Sequence, residues 1–161
     1  MIINSHQNIE HRVDLKYNNI GELLLDKVEK TPNKTFILCP GKTLDKCTYS
    51  EFLSSVLVIA NHLSDSGLET GNTICLVFNN STEFLLFYFA SILLGIVVVP
   101  INPDLSPSGI KYIIENSGVN HIYFQECLTK RISEVKNILK KEIDTFVVLP
   151  FKQFKSVQFG A

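Results

Sequence analysis

Two rhythms of apolar side chains alternate along this chain, helical spacing in some stretches and short unbroken runs in others. Ile20, Leu23, Leu24 and Val28 recur at intervals of three and four, which predicts a helix over Ile20 to Lys30. Thr31-Pro32 ends it, because a residue before proline is pushed out of the helical region. Thr35 to Cys39 (TFILC) reads as a strand, with a turn at Pro40-Gly41. Thr48-Tyr49-Ser50-Glu51 has the form of a capping box, in which the Thr48 hydroxyl and the Glu51 carboxylate satisfy each other's backbone N–H. Phe52, Val56, Ile59, Ala60 and Leu63 continue as one helical face, and Gly67 is placed to end it.

Ile74 to Phe78 (ICLVF) is continuously apolar, as suits a strand covered on both faces of a parallel sheet. Ser81 is a natural N-cap for a helix from Thr82 to Leu94, with Glu83 in its first turn and Gly95 at its end. Ile96 to Val99 is β-branched throughout and predicts a strand, closed by Pro100 and Pro103. Ser106 and Pro107 open a helix with Ile110, Ile113 and Ile114 inside and Ser117-Gly118 at its end. His121 to Phe124 is a strand, Leu128 to Lys141 an amphipathic helix, and Thr145 to Leu149 a last strand. Residues 1–18 are a polar, unpatterned lead-in. The regular alternation predicts an α/β layered fold with a largely parallel sheet flanked by helices.

Phe84 to Pro103 contains no charged side chain, and its roughly 20 residues equal the length of a membrane-spanning helix. Three features argue against a span. The nearest basic residues are Lys46 upstream and Lys111 downstream, so no positive flank sets an orientation. Gly95 cuts the run, and the β-branched tetrad after it is a poor helix. The expectation is a buried helix followed by a central strand, and no membrane span.

Composition narrows the function classes. The 161 residues suffice for one domain with a sizeable core, and 45% apolar against 19% charged is globular. A net charge of -1 offers nothing to nucleic acid or to an anionic membrane. Cys39, Cys47, Cys75 and Cys127 form no CxxC pair and read as small buried hydrophobes, with no metal site expected. The N-terminus lacks a secretory apolar region, which makes the cytoplasm the expected location. Gly41-Lys42-Thr43 imitates the tail of a phosphate loop, but Phe36 stands where the pattern needs glycine, so a hairpin turn is the better reading. The histidines and carboxylates are scattered, with no acid/base couple. Asn79-Asn80-Ser81 follows a parallel strand and precedes a helix, where α/β proteins bind ligands, so these residues are a candidate pocket edge beside their plain capping role.

The order of these pieces resembles the acyl-adenylate-forming (AMP-binding) superfamily, which comprises acyl-CoA synthetases, adenylation domains of nonribosomal peptide synthetases, and luciferases. The resemblance rests on Thr31 to Lys34, on Thr48-Tyr49-Ser50-Glu51-Phe52, and on Gly71-Asn72 before ICLVF. It rests above all on Gly95 to Pro103 (GIVVVPINP), whose INP ending is more like acyl- or aryl-CoA ligases. Phe52 replaces the family's leucine and Asn72 its aspartate. Thr48, Tyr49, Glu51, Gly71, Gly95, Pro100, Asn102 and Pro103 are the motif positions matched, and in the family they are chiefly scaffold.

The resemblance implies the fold of the N-terminal part of an acetyl-CoA synthetase-like enzyme, with residues 19–161 as an incomplete adenylation domain. It also implies a reaction in which a carboxylate attacks the α-phosphate of Mg-ATP and the resulting acyl-AMP passes to CoA or phosphopantetheine. The family's phosphate loop, ribose-binding aspartate and C-terminal lysine are not in this chain, so no catalytic residue is carried over and the chain alone is expected to be inactive. Its expected partner is the remainder of the adenylation domain, in cis or in trans, and an exposed apolar surface should make it self-associate. The alternative is a free-standing binding or regulatory module, or the complementing half of a split enzyme, on the same scaffold.

Overall fold

The computed structural model describes residues 16–38 and 46–149, together with the backbone of 159–160. Most of the lead-in, Cys39, the Pro40-Gly41 turn and Gly41-Lys42-Thr43 lie outside the described residues. In chain order the elements are α1 (Ile20–Lys30), β1 (Thr35–Leu38), β2 (Lys46–Thr48), α2 (Tyr49–Asp65), β3 (Thr73–Val77), α3 (Thr82–Leu93) and β4 (Val97–Ile101). They are followed by α4 (Pro107–Ser117), β5 (His121–Gln125), α5 (Thr129–Ile138), β6 (Asp144–Val148) and β7 (Phe159–Gly160), with a 3-10 turn at Glu126–Leu128 ahead of α5.

Short-range chemistry sets the helix starts. The Thr48 backbone N–H donates to Glu51 Oε2 at 2.9 Å and the Glu51 N–H donates to Thr48 Oγ1 at 3.2 Å, closing the capping box. Ser81 Oγ accepts the Phe84 N–H at 3.2 Å, and Ser106 Oγ accepts the Gly109 N–H at 3.2 Å. Each cap satisfies a donor that the helix itself leaves orphaned.

The main sheet runs in the order β4-β3-β5-β6-β7, with the first four strands parallel and β7 antiparallel at the far edge. β1 and β2 do not join it; they form a separate antiparallel pair. From β3 the chain steps out to β4, then crosses back over β3 to β5. Right-handed crossovers in opposite directions put α3 and α4 on opposite faces. Alternate residues of β3 serve each face accordingly. Ile74, Leu76 and Phe78 pack with Phe52, Ile59, Leu86 and Phe87 of α2 and α3, while Cys75 and Val77 pack with Ile110, Ile114, Ile132 and Val135 of α4 and α5. Burial pushes the Cys75 thiol up to about 12, so it remains a neutral core group.

Three expectations are corrected. Among the described residues β4 is an edge strand, not a central one: Val97 is 52% exposed, because apolarity alone does not say which side of a strand has a neighbour. Pro100 does not close β4, which runs on to Ile101. The Val97 N–H donates to the Asn72 carbonyl at 2.8 Å, so by strand alternation Val98 and Pro100 present their backbone to the open edge, where a missing donor breaks no ladder bond. Cys47 and Cys75 are buried, but Cys127 is exposed on the turn after β5. Among the described residues, no helix is long and apolar enough to cross a membrane.

Candidate functional site

At the carboxyl ends of β3 and β4 the sheet opens into a cavity of about 410 Å³, lined by residues 78–80, Phe84 and residues 100–104. The two strands deliver its walls in parallel register, Leu76 beside Pro100 and Val77 beside Ile101, so the turns that follow them face each other. One wall is the β3–α3 turn with Asn79 and Asn80, and the other is the β4–α4 turn with Asn102, Pro103 and Asp104. Pro100, Asn102 and Pro103, singled out by motif, thus meet Asn79 and Asn80, singled out by position. Ser81 is not on the lining; its hydroxyl is engaged as the cap of α3.

The two walls are held by different means. Asn102 Oδ1 accepts the Asp104 N–H at 2.9 Å, folding its own turn, and Arg131 of α5 donates from Nη1 to the Leu105 carbonyl at 2.6 Å. On the other wall, Gln125 at the end of β5 reaches across. Its Oε1 accepts the Asn79 backbone N–H at 2.9 Å and the Asn79 Nδ2 at 3.1 Å. Beyond that pair lies a second cavity of about 240 Å³, lined by Glu83, Gln125, Glu126, Cys127 and Val148.

The remaining motif residues lie away from this lining. Gly71 and Gly95 precede β3 and β4, hence sit at the amino end of the sheet, where the Gly71 N–H donates to the Gly95 carbonyl at 2.9 Å. Both have positive φ, 87° and 71°, and a Cβ on Gly95 would meet Thr70 Cγ2 at 2.9 Å. Thr48 and Glu51 form the capping box, and the Tyr49 ring stacks on Phe36 with centroids 4.6 Å apart. These positions make caps, turns and a ring stack, and do not line the cavity.

Charge limits what the first cavity can take. Among the described residues, Asp104 is the one ionisable group on its lining and no lysine or arginine lines it, so these residues offer a phosphate chain no counter-charge. Carboxamides beside Phe78, Phe84 and two prolines suit a neutral polar or partly apolar group. Among the described residues, no three His, Cys, Asp or Glu side chains converge to hold a metal ion. Sequence reasoning missed Gln125 and Arg131. Each acts on a partner distant in the chain, 46 and 26 residues away, and only the strand order brings them together.

A family model described as AMP-binding enzyme matches residues 24–158. Tyrocidine synthase 3 of Brevibacillus parabrevis is 26% identical over 120 residues, which is 74% of this chain and 2% of that protein. The 4-hydroxybutyrate–CoA ligase 2 of Metallosphaera sedula is 35% identical over 96 residues, 60% of this chain and 18% of that protein. Among solved structures, the N-terminal domain of FACL13 from Mycobacterium tuberculosis superposes with a TM-score of 0.74 at 21% identity, covering 88% of this chain and 37% of that one. The chain thus spans well under half the length of the proteins it matches.

Proposed function

This chain belongs to the AMP-binding enzyme family, and on that premise we propose that residues 19–161 are the N-terminal part of an ATP-dependent acyl- or aryl-CoA ligase of the cytoplasm. The whole enzyme activates a carboxylic acid as its acyl-AMP and passes the acyl group to a thiol. The observation that carries this reading is the convergence of Asn102 and Pro103 with Asn79 and Asn80 on one cavity at the carboxyl end of the sheet, the end at which open α/β folds bind ligands. The INP form of the motif and the likeness to a CoA ligase at 35% identity support a CoA-type acceptor.

ATP, Mg and CoA or phosphopantetheine belong to the complete enzyme. The cavity's lining among the described residues, with Asp104 and no lysine or arginine, does not fit the triphosphate, and no step of phosphoryl chemistry is assigned to these residues. Their role is to position and bound the substrate side, while the remainder of the domain, in cis or in trans, supplies the phosphate-binding and reacting groups.

ATP–pyrophosphate exchange with a panel of carboxylic acids tests the division of labour. The chain alone should give no exchange above background, and robust exchange would overturn the claim that it lacks the reacting groups. A chimera in which residues 19–149 replace the matching part of a characterised CoA ligase tests the assignment. It should form acyl-CoA, and a folded, soluble chimera that adenylates no acid would overturn it and favour the regulatory-module alternative.

A further inference from the structure

The first cavity and its neighbour of about 240 Å³ share a boundary that the sequence gives no hint of. Asn79 lines the first and Gln125 lines the second, and the hydrogen bonds between these two residues cross the gap between β3 and β5. That gap is the topological switch point, because the chain leaves β3 for β4 on one side and returns to β5 on the other. The crevice that such folds commonly use for ligands is therefore bridged here by a side-chain clamp.

We infer that Gln125 is a positioning residue that partitions the carboxyl end of the sheet: it holds Asn79 in place, keeps Asn80 on the wall of the first cavity, and separates that cavity from the second. One acceptor oxygen fixes both the backbone and the side chain of Asn79, so the direction in which the β3–α3 turn leaves the sheet is set from β5. The Asn79 amide also lies 3.8 Å from Cys127 Sγ, which places the exposed thiol directly behind the clamp. On the far wall, Asn102 folds its own turn and Arg131 secures Leu105, so that wall does not depend on Gln125. Breaking the clamp joins the two cavities into one trough running past the ends of β4, β3 and β5. The inference extends the proposed function by naming what limits the length of the substrate-side cavity, and it rests on that reading only for the identity of the ligand.

The test uses amide hydrogen exchange and ¹H–¹⁵N NOE measurements on the ¹⁵N-labelled chain, with Gln125→Ala and Gln125→Glu variants. In Q125A the Asn79 backbone amide should exchange about tenfold faster, the equivalent of one lost hydrogen bond. The NOE of Asn79 and Asn80 should fall, while the amides of residues 122–124, Asp104 and Leu105 keep their wild-type values. Q125E retains an acceptor oxygen at the same reach and should restore both readouts. Unchanged exchange at Asn79 in Q125A would overturn the inference, as would an equal loss throughout β3 and β5 or a failure of Q125E to restore. None of these readouts requires adenylation activity, so a failure of the ligase assignment and a failure of the clamp are separate results.

Discussion

The two faces of the sheet are built from different materials. On the α1–α3 face, Phe36, Tyr49, Phe52 and Phe89 are linked through Tyr88, Phe84 and Phe78 to Phe87 and Tyr123, with Phe52 and Phe89 edge to face at 5.2 Å. Polar atoms are threaded into it: Ser91 Oγ donates to the Phe87 carbonyl at 2.7 Å, and burial pushes the Tyr123 phenol up to about 12. On the α4–α5 face the core is nearly all aliphatic, led by Ile110, Ile114, Ile132 and Val135. Rings fill large volumes with few rotatable bonds and prefer set angles, so the first face should respond to single truncations more than the second. A helix sunk into such a face carries apolar residues all round, and for that reason α3 resembles a membrane segment when read by hydropathy alone.

The sharpest way to break this contrast is to truncate one buried side chain on each face. Phe87→Ala should cost about 3–5 kcal/mol and Ile114→Ala about 2–5, toward the lower end of that range, both read from urea unfolding. An Ile114 variant as damaged as the Phe87 variant would erase the distinction. Gly95→Ala should cost about 1–2 kcal/mol, because alanine must adopt φ near +71° and press on Thr70 at the end of α3. Thr48→Ala on one face and Ser106→Ala on the other should each cost about 1 kcal/mol, since a cap satisfies a local donor whatever core its helix meets. Unequal cap losses would show that the faces differ in their helix ends as well as in their cores.

The smallest effect concerns pH. His62 of α2 stands edge-on to Tyr123 and Phe146, and burial holds its pKa below the ordinary histidine value, with Asp65 opposing the shift. A depressed histidine favours the folded state while it is neutral. This contribution is therefore present above about pH 6.5 and is lost as pH falls through that value, when the unfolded chain takes up the proton. Urea midpoints at pH 7.5 and 5.5 should differ less in His62→Phe than in wild type.

Much of the frame was legible in the sequence because its causes are local. Thr48 with Glu51, Ser81, Ser106 with Pro107, and Gly95 each act within a turn, and the strand and helix they predict sit within a residue or two of the observed ends. What depended on neighbours was less legible. Nothing in Ile96 to Val99 says that β4 has a partner on only one side among the described residues, and nothing in Pro100 says that its nitrogen faces outward. Of the candidate cavity's lining, Asn79 and Asn80 were singled out by their place after a strand, whereas Asn102 and Pro103 were singled out only as scaffold positions of a motif. Gln125 and Arg131 were not, because glutamine at a strand end and arginine on a solvated helix face carry no local signature. Cys127 was misread for the same reason: burial belongs to a position, not to a residue type.

Pro100 bears on how this chain behaves when crowded. An uncharged β-branched edge such as Val97 to Val99 is a template on which a foreign strand can grow. Here the template is interrupted: Val98 offers an outward N–H, and the next outward position is a proline nitrogen with none. A fibril seeded on β4 loses its ladder after one rung. Concentrated solutions should therefore cluster through apolar side chains while staying dark to an amyloid dye, and replacing Pro100 with valine should be the single change that lights them.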